Sequence, residues 1–286
     1  MSKEHEKLMT DFHRLMSTQN FKSEKEVNEF MQKIVGGKIP EFDKLALSFQ
    51  EQAQDLVFEA YKLPINQGKE KVAEALSLDP TCIEAYEYLA EIEEFPEIAS
   101  IFLERAIEIG EEKFGDEFIK KNKSHFWLIH ETRPYMRCLY NYANCLIIMG
   151  MVSEGVEIFE EMIHLNPNDN QGVRDHLLLH LIELEEIDKF KFYDKMFKDD
   201  SMAFSSFNRA LFSFQTKGAV KQSNELLKKA LNSNKFVLPN LISDSFTSGL
   251  SDAYSPGSAA EADYYVTHAY NLWREIPGAI DWLKKM

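Results

Sequence analysis

The amino-acid sequence predicts an all-α protein built as a helical-repeat solenoid, and two observations carry that expectation. Apolar residues recur at helical spacing along most of the chain, and one pattern of large and small side chains returns at a fixed interval. Composition agrees: 44% hydrophobic and 28% charged residues among 286 are ordinary for a folded soluble protein and too apolar for a disordered one.

The first segment, residues 1–48, is expected to form a helical extension. Leu8, Phe12 and Leu15 share one face of a short amphipathic helix. Ser23 and Glu26 fit a capping box that opens a second helix with Val27, Phe30, Met31 and Ile34 on its face. Gly36-Gly37-Lys38-Ile39-Pro40 closes it. That run lacks the spaced glycine and the Ser/Thr of a phosphate loop, so it is read as a turn.

Residues 49–238 are expected to form the repeat array. From Met136, Leu139, Tyr142, Ala143 and Leu146 line one helix, Gly150 marks a turn, Gly155, Phe159 and Met162 line a second helix, and Pro167 ends the unit. Phe204 opens an equivalent unit 68 residues later, with Phe207, Ala210, Leu211, Phe214, Gly218, Ser223, Leu227 and Ala230 in the same slots. That interval is twice the 34 residues of a tetratricopeptide unit, a pair of antiparallel helices with small residues where they cross. Between the two units, Val173, Leu177, Leu181 and Leu184, then Phe190, Tyr193 and Phe197, keep the period without the small residues. Upstream, Leu56, Ala60, Gly68, Val72 and Ala75 lead to Pro80, and Leu89, Ala90, Ala99, Leu103 and Ala106 form a shortened unit. The total is about five units. Residues 110–134 are an aromatic-rich insertion expected to supply an extra helix and a bracing loop.

Residues 239–286 are expected to be a loop and capping helices. Ser243 to Gly257 is rich in Ser, Asp and Gly; Ser258 and Glu261 fit another capping box, followed by Ala262, Tyr265, Val266, Ala269, Leu272 and Trp273 at helical spacing. A repeat array needs such a cap to cover the apolar face of its last unit.

The run His125-Phe126-Trp127 to Glu131-Thr132-Arg133-Pro134-Tyr135-Met136-Arg137, together with Leu165 to Gly172, Tyr254 to Ser258 and Pro277-Gly278-Ala279, resembles a widespread bacterial tetratricopeptide family. Residues 133–242 are also similar to the eukaryotic suppressor-of-tumorigenicity-seven family, which shares an RPxMR start. The resemblances imply a scaffold and carry no activity.

Charge and cysteine usage exclude several function classes. With 47 acidic and 32 basic side chains the formal charge is −15, which repels phosphate backbones, so nucleic acid is not expected as a partner. Cys82, Cys138 and Cys145 are an odd number without a CxxC pair, which argues against a disulfide framework or a thiolate metal site and for a reducing compartment. The charged N-terminus and the lack of a long apolar run point to a cytoplasmic protein without membrane contact.

Candidate chemistry is sparse. His176 and His180 lie four apart on one helical face, with Glu183 as a third ligand for a metal-dependent enzyme, yet the register puts both histidines at packing positions. His125, His130 and Glu131 cluster without an HExxH motif, and Cys138 and Cys145 share a face in the manner of buried cysteines. Nucleophile-elbow, P-loop and dinucleotide motifs are missing from the sequence, so neither an enzyme nor a cofactor is expected.

The repeat register instead assigns an inner groove to Arg137, Tyr140 and Asn144, then Gln171, Arg174 and Leu178, then Ser205, Asn208 and Phe212. Arg137, Tyr140, Asn144, Arg174, Asn208 and Phe212 are the expected partner-binding residues, suited to a peptide backbone or carboxylate with aromatic contact. The alternative is that Arg137 and Arg174 pair with nearby carboxylates. A chaperone-type two-carboxylate clamp is disfavoured, because only Asn144 and Arg209 match it and Asp175 would repel a carboxylate. The chain is therefore read as an adaptor holding a protein or peptide segment, as a monomer or weak homo-oligomer. A competing reading makes it a structural subunit that assembles through Phe126 and Trp127.

Overall fold

The computed structural model describes residues 3–19, 21–34, 47–249 and 253–285. The run Gly36 to Pro40 lies outside the described residues. Among them the chain is all-helical, with fifteen α-helices and two 3-10 turns, and no strand. None of these helices is long and apolar enough to cross a membrane. The contacts divide the chain into two compact units, Met1–Met151 with His164–Asn166, and Val152–Ile163 with Pro167–Met286.

The first unit begins with α1 (Lys3–Ser17) and α2 (Glu24–Ile34). Helices α3 (Phe49–Ala60) and α4 (Ile65–Leu78) pack as a hairpin, as do α5 (Ile83–Glu91) and α6 (Pro96–Asn122), and α7 (Arg133–Ile148) packs on α6 and α5. Local chemistry sets the boundaries. Ser48 and Glu51 form a reciprocal capping box at α3, and Pro96 opens α6 where its missing N–H costs nothing. The core of the first hairpin is Ala53, Val57, Ala60, Val72 and Ala75 with Tyr88 of α5. Small residues on the second helix of a pair let the next helix approach. A Cβ on Gly110 of α6 would stand 2.2 Å from the Tyr135 ring of α7.

The insertion is a continuation of α6, broken at Gly115 (φ 67°), followed by 3-10 turns at Phe126–Leu128 and His130–Thr132. Its aromatics form a cluster: Phe126, fully buried, meets Phe114, Phe118 and Tyr135 edge-on at ring distances of 5.6 to 6.0 Å. Phe126 is therefore a core residue and not an assembly surface, a correction to the self-assembly expectation.

The second unit contains α8 (Val152–Leu165, to Ile163), α9 (Val173–Glu183) with α10 (Ile187–Met196), and α11 (Ala203–Lys217) with α12 (Lys221–Ser233). Three C-terminal helices, α13 (Val237–Ile242), α14 (Ala259–Glu275) and α15 (Ala279–Leu283), complete it. Helix α14 buries Ala262, Tyr265, Val266, Ala269 and Trp273 completely, and packs on α11. Its N-terminus departs from the expected capping box. Ser258 Oγ does accept from the Glu261 amide, but the buried Glu261 carboxylate accepts from Ala203 N–H (2.9 Å), Asn234 Nδ2 (2.9 Å) and Gly257 N–H (2.6 Å). Two donors from elsewhere, with the Gly257 amide just before the N-cap, outweigh the one amide a capping box would use, and the carboxylate thereby ties α14 to the ends of α11 and α12.

Candidate functional site

In the first unit, the first helices of successive pairs, α3, α5 and α7, present a face on which α1 lies. Helical spacing puts Leu8, Phe12 and Leu15 on one face of α1. The structure instead buries the polar stripe Glu6, Thr10 and Arg14, one helical turn apart, and leaves Leu8 49% exposed. Partners on the face explain the choice. Arg14 donates to Asp55 Oδ1 (2.7 Å), Gln54 Oε1 (2.7 Å) and the Glu51 carbonyl (3.1 Å). Lys3 pairs with Glu87 (2.9 Å) and lies over the Tyr61 ring, and Lys7 pairs with Asp55 (3.0 Å). Glu6 accepts from Arg137 (2.8 Å), and Thr10 meets His130 Nε2 at 2.9 Å.

Arg137 is the centre of this network. Its Nε and one terminal nitrogen reach the two oxygens of Glu87 at 2.6 Å each, while its other terminal nitrogen reaches Glu6. Glu87 is wholly buried. Burial alone would raise its pKa, but the charges of Arg137 and Lys3 outweigh that effect and hold the carboxyl well below its ordinary range. On the same helix, Asn144 donates to the Tyr140 carbonyl (2.7 Å). Beside α1 a cleft of about 680 Å³ opens, lined among others by Glu51, Asp79, Glu84, Glu112, Lys113 and Glu131.

The second unit treats the remaining expected groove residues differently. Arg174 reaches Asp169 (2.9 Å) and Asp200 (2.6 Å), so it is engaged by carboxylates of its own chain. Asn208 is completely buried, its amide nitrogen directed to the Asp175 carbonyl at 3.5 Å, and Leu178 is buried as well. Phe212 stacks on Phe190 of α10 with ring centres 3.9 Å apart. Asn208 and Phe212 thus act in packing between helices, because α9 is enclosed on almost every side. Of the clamp positions, Arg209 is taken by Asp194 and the carbonyls of Phe197 and Asp200.

Asp175 is the least comfortable side chain of this unit. Its Oδ1, like Asn208 Oδ1, accepts no hydrogen bond from the described residues. Burial pushes its pKa up to about 7; Arg174 opposes that shift, and Asp200, Asp169 and Glu261 add to it.

The two histidines weighed as metal ligands against packing residues turn to different partners. His176 is buried, with Nε2 3.0 Å from the Tyr264 hydroxyl and its ring edge-on to His268, and burial lowers its pKa well below the ordinary value. His180 Nδ1 pairs with Glu183 at 2.7 Å. Among the described residues no group of three His, Cys, Asp or Glu side chains is arranged to hold a metal ion. Of the other candidates, His130 lies against Thr10 and stacks on His13, while burial raises the thiol pKa of Cys138 and Cys145. A thiol held protonated is a poor nucleophile.

Sequence reasoning missed the acidic side of the face. Glu84, Glu87 and Glu91 recur at helical spacing on α5, as do Glu51 and Asp55 on α3, and that spacing was the available signal.

No family model matches the chain, and no curated protein matches it. Among solved structures, the chain is similar to the crystal structure of YrrB, described as a TPR protein with an unusual peptide-binding site. The TM-score is 0.47 at 15% sequence identity, over 64% of this chain and 84% of that one.

Proposed function

We propose that this protein is a non-catalytic interaction scaffold that holds a peptide or helical segment of a partner protein on the first-helix face of its repeats. The observation that supports this reading is the seating of α1. Side chains of α3, α5 and α7 receive a helical segment through directional polar contacts to Asp55, Gln54, Glu87 and Arg137, with further polar cleft beside it. A face that holds one segment by side-chain complementarity is chemically equipped to hold another. In this reading Arg137, Tyr140 and Asn144 belong to the interaction surface of the first unit and Arg174 to that of the second, whereas Asn208 and Phe212 support it from within.

Site-specific photo-crosslinking tests the proposal. A photoreactive phenylalanine analogue at Tyr140 or Asn144 should give discrete adducts with a partner in cells. Control positions are the exposed Ile187 and Phe192 on the second helix α10. Adducts formed from the control positions alone would overturn the assignment of the face.

One observation favours a second reading, self-association. Phe95, Ile98 and Ile101 are exposed along one side of α6 at i, i+3 and i+6. Light scattering of Ile101→Glu against the parent chain checks it: an unchanged mass at high concentration removes this reading.

A further inference from the structure

The way α1 is held differs in kind from the way α14 is held. Helix α14 is embedded through fully buried apolar side chains. Helix α1 is attached mainly through charges: Lys3 to Glu87, Lys7 and Arg14 to Asp55, Glu6 to Arg137. The pairs of Lys3 and Lys7 are partly exposed, and such pairs contribute little each and are screened by salt; those of Arg14 and Glu6 are buried, where charges taken out of water give back much of their attraction as desolvation cost. They are also specific in geometry, because each cation must reach a fixed carboxylate.

We propose that the α3/α5/α7 face is a docking site for a helix with a cationic stripe, and that α1 is its occupant in cis, exchanged for a partner helix presenting cations at the spacing of Lys3, Lys7 and Arg14. This inference rests on the scaffold reading above and names the class of partner and its regulation. Charge complementarity selects the partner. Glu51, Asp55, Glu84, Glu87 and Glu91 face or flank α1, and the cleft beside it adds Asp79 and Glu112. Cations spaced Lys-x3-Lys-x6-Arg fall on one side of a helix and so meet α3 and α5 together. An acidic helix would set carboxylates against these residues and be rejected. The occupant in cis lowers the apparent affinity for any competitor by the fraction of time it leaves the face open.

The test uses the full chain and a fluorescent, 15N-labelled peptide of residues 2–19. Binding is followed by fluorescence anisotropy for the parent chain and for the triple variant Lys3→Ala, Lys7→Ala, Arg14→Ala. The variant should bind the peptide about tenfold more tightly than the parent, the gain expected when an occupant holding the site roughly nine-tenths of the time is weakened. Binding should weaken with rising salt, and a peptide with Glu at the three cationic positions should not bind. Equal affinity of parent and variant, or no binding by a variant of unchanged circular dichroism, overturns the proposal. Should the variant not fold, hydrogen exchange of the parent chain decides. Excess peptide should accelerate exchange of the α1 amides and leave α14 unchanged; unaltered α1 exchange overturns the proposal. Crosslinks from Tyr140 without peptide exchange would refute the cis occupant while leaving the scaffold reading intact, and the loss of both results would refute both.

Discussion

Replacing Arg137 by Met removes the guanidinium that holds Glu87, and the expected effect is a loss of stability localised to the first unit. Glu87 is wholly buried and receives two 2.6 Å hydrogen bonds from Arg137 and one of 2.9 Å from Lys3. Breaking a buried ion pair by removing one partner typically costs about 3–5 kcal/mol, since the remaining charge is uncompensated. Lys3 stays in place, so roughly 2–4 kcal/mol is expected here. The pH dependence should change sign. In the parent chain the Glu87 pKa is depressed, so its contribution is present above the ordinary carboxylate pKa and is lost as pH falls toward the folded value. In the variant burial dominates, the pKa rises, and stability should improve as pH falls. The double variant Arg137→Met, Glu87→Met should recover most of the loss, because an apolar pair of similar volume replaces the ion pair. Hydrogen exchange of the α5 and α7 amides under graded urea reports the local stability. A loss below about 1 kcal/mol, or a double variant no better than the single one, would refute the argument and leave Arg137 available chiefly for partners.

Asp175→Asn should stabilise the second unit increasingly as pH rises from about 4 to 7. The folded carboxyl, with its pKa pushed up to about 7, retains a proton that the unfolded chain has released, so the parent loses up to roughly 4 kcal/mol over that window. Urea unfolding at pH 5 and pH 8 measures it, and a difference independent of pH contradicts the assignment. Gly110→Ala should cost about 1–3 kcal/mol, because the new Cβ meets a Tyr135 ring confined by Phe114 and Phe126; thermal unfolding at parental stability would show that the ring can move. Phe126→Ala should cost about 3–5 kcal/mol by emptying the aromatic cluster, measured by urea denaturation, and a near-neutral result would return Phe126 to the surface.

The fold was legible where packing alone decides the residue. Gly68, Ala143, Phe159, Leu177, Phe207, Leu227 and Ala230 sit at buried positions, as the 34-residue register requires, and helical spacing identified the buried face of α14 from Ala262 to Trp273. What escaped depends on contacts distant in sequence. The Glu261 carboxylate has the local spacing of a capping box, but its partners, Ala203 and Asn234, lie 58 and 27 residues away. Phe126 stands in a segment without the repeat pattern, so only its neighbours Phe114, Phe118 and Tyr135 reveal that it is core.

The groove shows the same division with a chemical twist. Register assigns Arg137 and Arg174 to first helices, but register cannot show whether a cation faces solvent or a carboxylate of its own chain. Arg137 meets Glu87 from 50 residues away, and Arg174 meets Asp200 from 26. The pattern of α1 was more misleading, since a hydrophobic face is sought by rule and here the polar stripe Glu6, Thr10 and Arg14 is the one that docks. That inversion is also what distinguishes the two helices lying on first helices. Burying apolar area at about 25 cal/mol per Å² fixes α14 irrespective of salt. The ion pairs of α1 give back much of their attraction as desolvation cost and can be matched by an equally charged helix, so on the proposal above specificity is retained while permanence is not. A segment bound in that manner has the energetics of a ligand, although it is covalently part of the chain.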